Sequence, residues 1–171
     1  IRDDSLVWVF SQSGCSAEIT ALLEQLKSSG ATVLATVNDL QSPLAQRAGE
    51  HVIPICAEAE LTVSTRTYLN TLAVAQLAAL VLIGGDIQRG REELHAAAQA
   101  IGVYLHQWEF HLEEMGALVP LSGNLLLLGR GASLASVYTG ALILGEASKV
   151  AALGLEAGQF RHGLMELAGK N

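Results

Sequence analysis

LVWVFSQSGCSAEITALLEQLKSSGATVLATV, residues 6–37, decides the fold class. Leu6–Phe10 is a short continuous apolar run, the pattern of a strand buried on both faces of a parallel sheet. A polar loop follows, Ser11–Ser16, and then Ile19, Leu22, Leu23 and Leu26 recur on one face at helical spacing. Ser28–Gly30 stops that helix, and Ala31–Val37 is a second strand, ended by the turn signal Asn38-Asp39. A short helix over Pro43–Ala48 and a brief strand over His51–Ile55 complete the series. Strand, helix, strand, helix, strand at this spacing means right-handed βαβ units and an α/β fold with a parallel sheet.

Further along, Thr62–Leu82 is rich in Ala and Leu on most sides and reads as a largely buried helix. From Asp86 to Met115 the apolar positions Leu94, Ala98, Ile101, Leu105, Trp108, Leu112 and Met115 keep a 4-3-4-3 rhythm. That spacing predicts one long amphipathic helix, packed on its own chain or helping to join subunits. Pro120–Asn124 reads as a linker, Leu125–Gly131 as a new buried strand running into a glycine turn, and Ser133–Ala152 as a helix again. The expected organisation is a three-strand α/β block over residues 1–84, a helical connector over 85–122, and the opening strand and helix of a second block over 123–171.

Composition narrows the function. Half of the 171 residues are hydrophobic, and the mean hydropathy of +0.36 is that of a globular chain with a sizeable core. A net charge of −7 argues against nucleic-acid binding, which needs a basic face, and against docking on an anionic membrane. Leu72–Gly85, the longest apolar stretch, is interrupted by Gln76 and ends too early to span a bilayer. Two cysteines, Cys15 and Cys56, are too few for a disulfide framework, so a cytoplasmic setting is expected.

Four segments carry candidate chemistry. Ser11, Gln12, Ser13, Gly14 and Ser16 lie between a strand and a helix N-terminus, where unpaired N–H groups and a positive dipole end favour an anion. Ser16 alone is explained as a helix cap; the residues before it are not. Glu60–Tyr68 (ELTVSTRTY) is a second polar cluster at a strand exit, in which Thr62 or Ser64 would cap the following helix. Gly129–Ala135 (GRGASLA) lacks the third glycine of a dinucleotide fingerprint, because Leu134 stands there. Glu146 lies in an apolar segment and His162 beside Gly163, an acid and an imidazole suited to general acid–base work or, equally, to a solvated surface. His106 and His111 are i, i+5 and share no metal-binding face; neither a metal nor another cofactor is expected.

Taken in this order, the segments resemble the sugar isomerase (SIS) domain family, and in particular the isomerase half of the glutamine–fructose-6-phosphate aminotransferases. SQSGCSAEI (11–19) is similar to that family's phosphate loop; ELTVSTRTY is similar to its Glu-x-x-Val-Ala-Ser-Thr-Lys segment, one residue shorter; LGRGASLASVYTGALILGEAS…EAGQFRHG looks like the start of a second SIS domain. The resemblance implies flavodoxin-like, three-layer α/β blocks joined by long helices, in a partial double-SIS arrangement. It gives Ser11, Gln12, Ser13 and Ser16 to a sugar phosphate and places Val63, Ser64 and Thr65 along the sugar. It makes Glu146 the base moving a proton between C1 and C2, and His162 the aid to ring opening. A homodimer is implied as well.

The chain departs from the aminotransferase pattern at three points. Ile143 stands where that family has a lysine, Thr139 where it has a glutamate, and neither the tail bearing its Schiff-base lysine nor its glutaminase domain lies within these residues. The expected function is therefore isomerisation, deamination or deglycation of a hexose or amino-sugar 6-phosphate. Its rival is a non-catalytic phosphosugar sensor; a third reading is an assembly module built on the heptad helix.

Overall fold

The computed structural model describes residues 1–118 and 125–168 and divides into two compact units, Ile1–Gly102 and Val103–Asn171. The expected linker Pro120–Asn124 lies outside the described residues.

In the first unit, strands β1 (Leu6–Ser11), β2 (Thr32–Val37) and β3 (Val52–Pro54) form a parallel sheet in the order β1-β2-β3. Leu6 pairs with Thr32 and Ser11 with Val37, so β1 and β2 end level. Helices α1 (Ala17–Leu26) and α2 (Pro43–Ala48) are the crossovers. Leu23 and Leu26 of α1 and Leu44, Ala45 and Ala48 of α2 close on Val9, Val33, Ala35 and Val37 to make the core. Thr36 is fully buried, and its hydroxyl accepts a 2.9 Å bond from the Trp8 indole N–H, so neither polar group is left unpaired. β1 differs from a strand buried on both faces: Val9 is buried, but Leu6 is 60% and Phe10 42% exposed. The physical reason is its place in the sheet, where it pairs with β2 alone.

Helix α3 covers Arg66–Leu82, four residues shorter at its start than the apolar pattern suggests. Thr67 is its one fully buried residue, and the Ala/Leu-rich faces are half-buried or exposed, not enclosed. The single long helix expected over Asp86–Met115 is two, α4 (Ile87–Leu105) and α5 (Trp108–Leu118), separated by a turn at His106 and Gln107. Asp86 opens α4, its carboxylate accepting from the Arg89 N–H at 3.0 Å.

The second unit contains a complete βαβ element. Strand β4 (Leu125–Gly129) leads through helix α6 (Ser133–Ile143) and a π-helical turn (Leu144–Ser148) to β5 (Ala152–Glu156). β4 and β5 pair in parallel from Leu125↔Ala152 to Gly129↔Glu156. Helix expected through Ala152 therefore ends nine residues early, at Ile143, and Lys149 in the left-handed region (φ 57°) closes the π turn. β5 forms because α6 and β4 leave a slot for it. A Cβ on Gly154 would lie 2.8 Å from Tyr138 Cδ1 and 3.0 Å from Val137 Cγ1, so only a residue without a side chain lets α6 lie against this strand. Leu125, Leu126 and Leu127 are half-buried and Leu128 is exposed, so β4 is less enclosed than its leucine run suggests. α7 (Ala157–Arg161) and a 3₁₀ turn (Leu164–Ala168) follow.

Candidate functional site

The carboxyl ends of β1, β2 and β3 are where a parallel sheet presents loops to a ligand. The loop Ser11–Ser16 leaves β1 there and enters α1. Its serines organise it from within. The Ser11 hydroxyl accepts from the Gly14 N–H at 3.0 Å, the Ser13 hydroxyl from the Cys15 N–H at 3.4 Å, and the Ser16 hydroxyl from the Ile19 N–H at 3.4 Å, capping α1. A hydroxyl that accepts from the backbone keeps its own hydrogen for donation. Ser11 and Ser13 are thus poised to donate to an anion. The Glu18 backbone N–H, with the Ser16 hydroxyl, holds the Glu18 carboxyl below the usual carboxylate range.

Gly14 sets the shape of the loop. It is buried with φ 64°, and an added Cβ would sit 2.3 Å from the Ser42 hydroxyl oxygen and 2.9 Å from Val37 Cγ2. Ser42 in turn caps α2 through the Ala45 N–H, at 3.3 Å, and the Leu44 N–H donates to the Gly14 carbonyl at 3.2 Å. The loop is therefore locked against the start of α2.

Asn38, at the end of β2, joins this loop to the chain beyond β3. Its backbone N–H donates to the Gln12 carbonyl at 3.1 Å. Its side-chain amide clamps Ala57, donating to the carbonyl at 2.9 Å and accepting from the N–H at 2.8 Å. Asn70 of α3 donates to the carbonyls of Ile55 and Cys56 at 3.3 and 3.2 Å, fixing the helix to the end of β3. Gln12 and the segment leading to Glu60 thus share one rim, connected by hydrogen bonds.

The second polar segment is held by Glu60. Its Oε1 accepts from the Thr65 N–H (2.8 Å), the Thr65 hydroxyl (3.1 Å) and the Arg66 N–H (2.7 Å); its Oε2 accepts from the Thr67 N–H (3.0 Å) and hydroxyl (2.7 Å). The Thr67 hydroxyl, with the three backbone N–H groups, pulls the carboxyl down to about 2. Neither Thr62 nor Ser64 caps α3: Thr65 occupies the N-cap position without a side-chain cap bond, and Glu60 satisfies the first turn from outside the helix. Arg66 also pairs with Glu58. Val63, Ser64 and Thr65 therefore lie between Glu60 and the helix it caps, with Val63 half-buried and Ser64 and Thr65 exposed.

Glu146 and His162 belong to the second unit. Glu146 is exposed and sits in the π-helical turn that ends α6, not inside a regular apolar helix. His162 is exposed at the C-cap of α7, its N–H bonded to the Gln159 carbonyl at 3.1 Å. Between them in sequence, Glu156 caps α7 by accepting from the Gln159 N–H at 2.7 Å. Among the described residues no group of His, Cys, Asp and Glu is placed to hold a metal ion, and no helix is long and apolar enough to cross a membrane.

Sequence reasoning overlooked Asn38, Glu60 and Asn70. Asn38 was legible only as a turn signal and Glu60 only as the first letter of a motif.

Proteins similar to this chain are known. Residues 1–81 match the SIS domain family. The chain is 31% identical over 98% of its length to the isomerizing glutamine–fructose-6-phosphate aminotransferase of Thermococcus kodakarensis, and 34% identical over its full length to that of Rhizobium meliloti. It spans 29% of the length of each. Among solved structures, a provisionally named phosphosugar isomerase from Silicibacter pomeroyi superposes with a TM-score of 0.79 at 29% identity, over 95% of this chain and 49% of that one. Glucosamine-6-phosphate deaminase from Thermotoga maritima shares the fold, with a TM-score of 0.80 at 18% identity over 99% of this chain and 51% of that one. The similarity to the SIS domain family is carried by residues 1–81.

Proposed function

We propose that this chain binds a hexose or amino-sugar 6-phosphate and interconverts its aldose and ketose forms. Sugar-phosphate recognition by an isomerase-type SIS domain is the coarse statement that the similarity to this family supports. The observation that carries the finer reading is the β1–α1 loop, where Ser11 and Ser13 hold hydroxyl hydrogens ready to donate at the N-terminus of α1. Ser11, Gln12, Ser13 and Ser16 are the phosphate grip. Val63, Ser64 and Thr65 line the sugar. Glu146 is the base that carries the proton between C1 and C2, and His162 promotes ring opening. The proton leaves one carbon, rests on the carboxylate and returns to the neighbouring carbon, so the reaction is redox-neutral and needs no cofactor.

In this reading residues 1–84 and 123–171 come from two successive SIS domains joined by the helical residues 85–122, and the working form is a cytoplasmic homodimer. Val103, Leu105, Trp108 and Phe110, 71%, 56%, 52% and 55% exposed, are apolar surface suited to covering by another subunit.

Solvent-hydrogen exchange tests the chemistry. In deuterated water the chain should incorporate deuterium at C1 of fructose 6-phosphate or at C2 of glucosamine 6-phosphate, and Glu146→Gln should reduce the rate by about 10²-fold or more. Saturable binding with no exchange supports the sensor reading instead, which Ile143, in place of the aminotransferase lysine, specifically favours.

A further inference from the structure

Glu60 performs no step in the scheme above, yet its single carboxylate collects five hydrogen bonds from three consecutive residues. We propose that Glu60 is a positioning residue for the sugar: it fixes the backbone that follows Ser64 and turns the Thr65 hydroxyl into an obligatory acceptor, so that the ligand group facing Thr65 must be a donor, a sugar hydroxyl or an ammonium. The inference rests on the proposal that Val63–Thr65 line the sugar.

The chemistry runs in one direction. An ionised carboxylate only accepts, so the Thr65 hydroxyl 3.1 Å from Oε1 spends its hydrogen on Glu60 and offers its remaining lone pairs outward. The depressed titration of Glu60 keeps the carboxylate ionised throughout the physiological range. Ser11 and Ser13 have the opposite polarity, accepting from the backbone and donating outward. The rim thus presents donors at the β1 loop, where an anion would lie, and an acceptor at Thr65. The same carboxylate takes up the Arg66 and Thr67 N–H groups, leaving those donors of the α3 N-terminus unavailable to the phosphate. That directs the anion to α1. Asn38 and Asn70 hold Ala57 and α3 to the sheet, so the segment between them has one free variable, the loop conformation, and Glu60 sets it.

The test compares two kinds of ligand on the intact protein. Fructose 6-phosphate and glucosamine 6-phosphate probe the whole site, and inorganic phosphate probes the serine loop alone. Glu60→Gln keeps the shape but brings an NH₂ toward groups that are themselves donors; Thr67→Val removes one donor isosterically, with little risk to folding; Thr67→Ser retains the hydroxyl. Glu60→Gln and Thr67→Val should weaken sugar-phosphate affinity about tenfold while changing inorganic phosphate affinity less than about twofold. Thr67→Ser should restore the parent value. Unchanged sugar-phosphate affinity in both variants overturns the proposal, as does an equal loss of both ligands, which would mark a general collapse of the rim. An unaltered protein that binds no sugar phosphate overturns the phosphosugar reading itself, and this inference with it.

Discussion

At the scale of single residues, the β1–α1 loop depends on Gly14 as much as on its serines. The residue combines a left-handed backbone with contact against the cap of α2, so alanine there meets both objections at once. The conformational cost is about 1–2 kcal/mol and the overpacking about 1–3 kcal/mol. Gly14→Ala should therefore destabilise the first unit by about 2–5 kcal/mol, read in thermal unfolding as a fall of roughly 5–20 °C. An unchanged midpoint would mean that the loop adapts freely and does not hold its hydroxyls in place. The serines and this glycine were visible in the sequence because small polar residues between an apolar strand and an amphipathic helix have few other uses. Asn38 was not, because its work is done by a side chain reaching nineteen residues along the chain to Ala57, and no local pattern signals such a clamp.

At the scale of elements, the start of α3 shows how a cap can be built from outside its helix. Because Glu60 titrates near 2 in the folded protein and near its ordinary value of 4.5 when unfolded, it contributes stability that is fully present above about pH 4.5 and is lost as pH falls toward 2. The melting temperature of Glu60→Gln should lie below that of the parent by a constant amount above pH 5, and the difference should close between about pH 4.5 and 2. A pH-independent difference would remove Glu60 as a titrating cap. The first three strands and two helices were legible from hydrophobic period and turn residues, since each is set by its own sequence. β5 was hidden because Ala151, Ala152, Leu153 and Leu155 are good helix formers, and the strand is imposed by pairing with β4 and by the close approach of α6 at Gly154. The break between α4 and α5 was hidden for a related reason: His106 and Gln107 include no glycine or proline, and the apolar rhythm continues straight across the turn.

At the scale of the molecule, the serine loop and the Glu60 segment occupy one rim of the first unit, while Glu146 and His162 belong to the second. Under the proposed function, binding and chemistry are assigned to different units and are separable by substitution. The fold class and the resemblance to SIS domains were both readable in the sequence, because the order of four weak motifs is far more specific than any one of them. The polarity of the hydroxyls was not, since the direction of a hydrogen bond depends on which backbone N–H each oxygen meets. The central claim is that the Ser11–Ser16 loop grips the phosphate of a sugar. Calorimetric titration of the unaltered chain and of the Ser13→Ala/Ser16→Ala variant with fructose 6-phosphate and glucosamine 6-phosphate tests it most directly. The account predicts saturable binding by the unaltered chain and a loss of about hundredfold or more in the variant, since each hydroxyl bonded to a charged phosphate is worth about 1.5–3 kcal/mol. Equal affinity in the two proteins would contradict it.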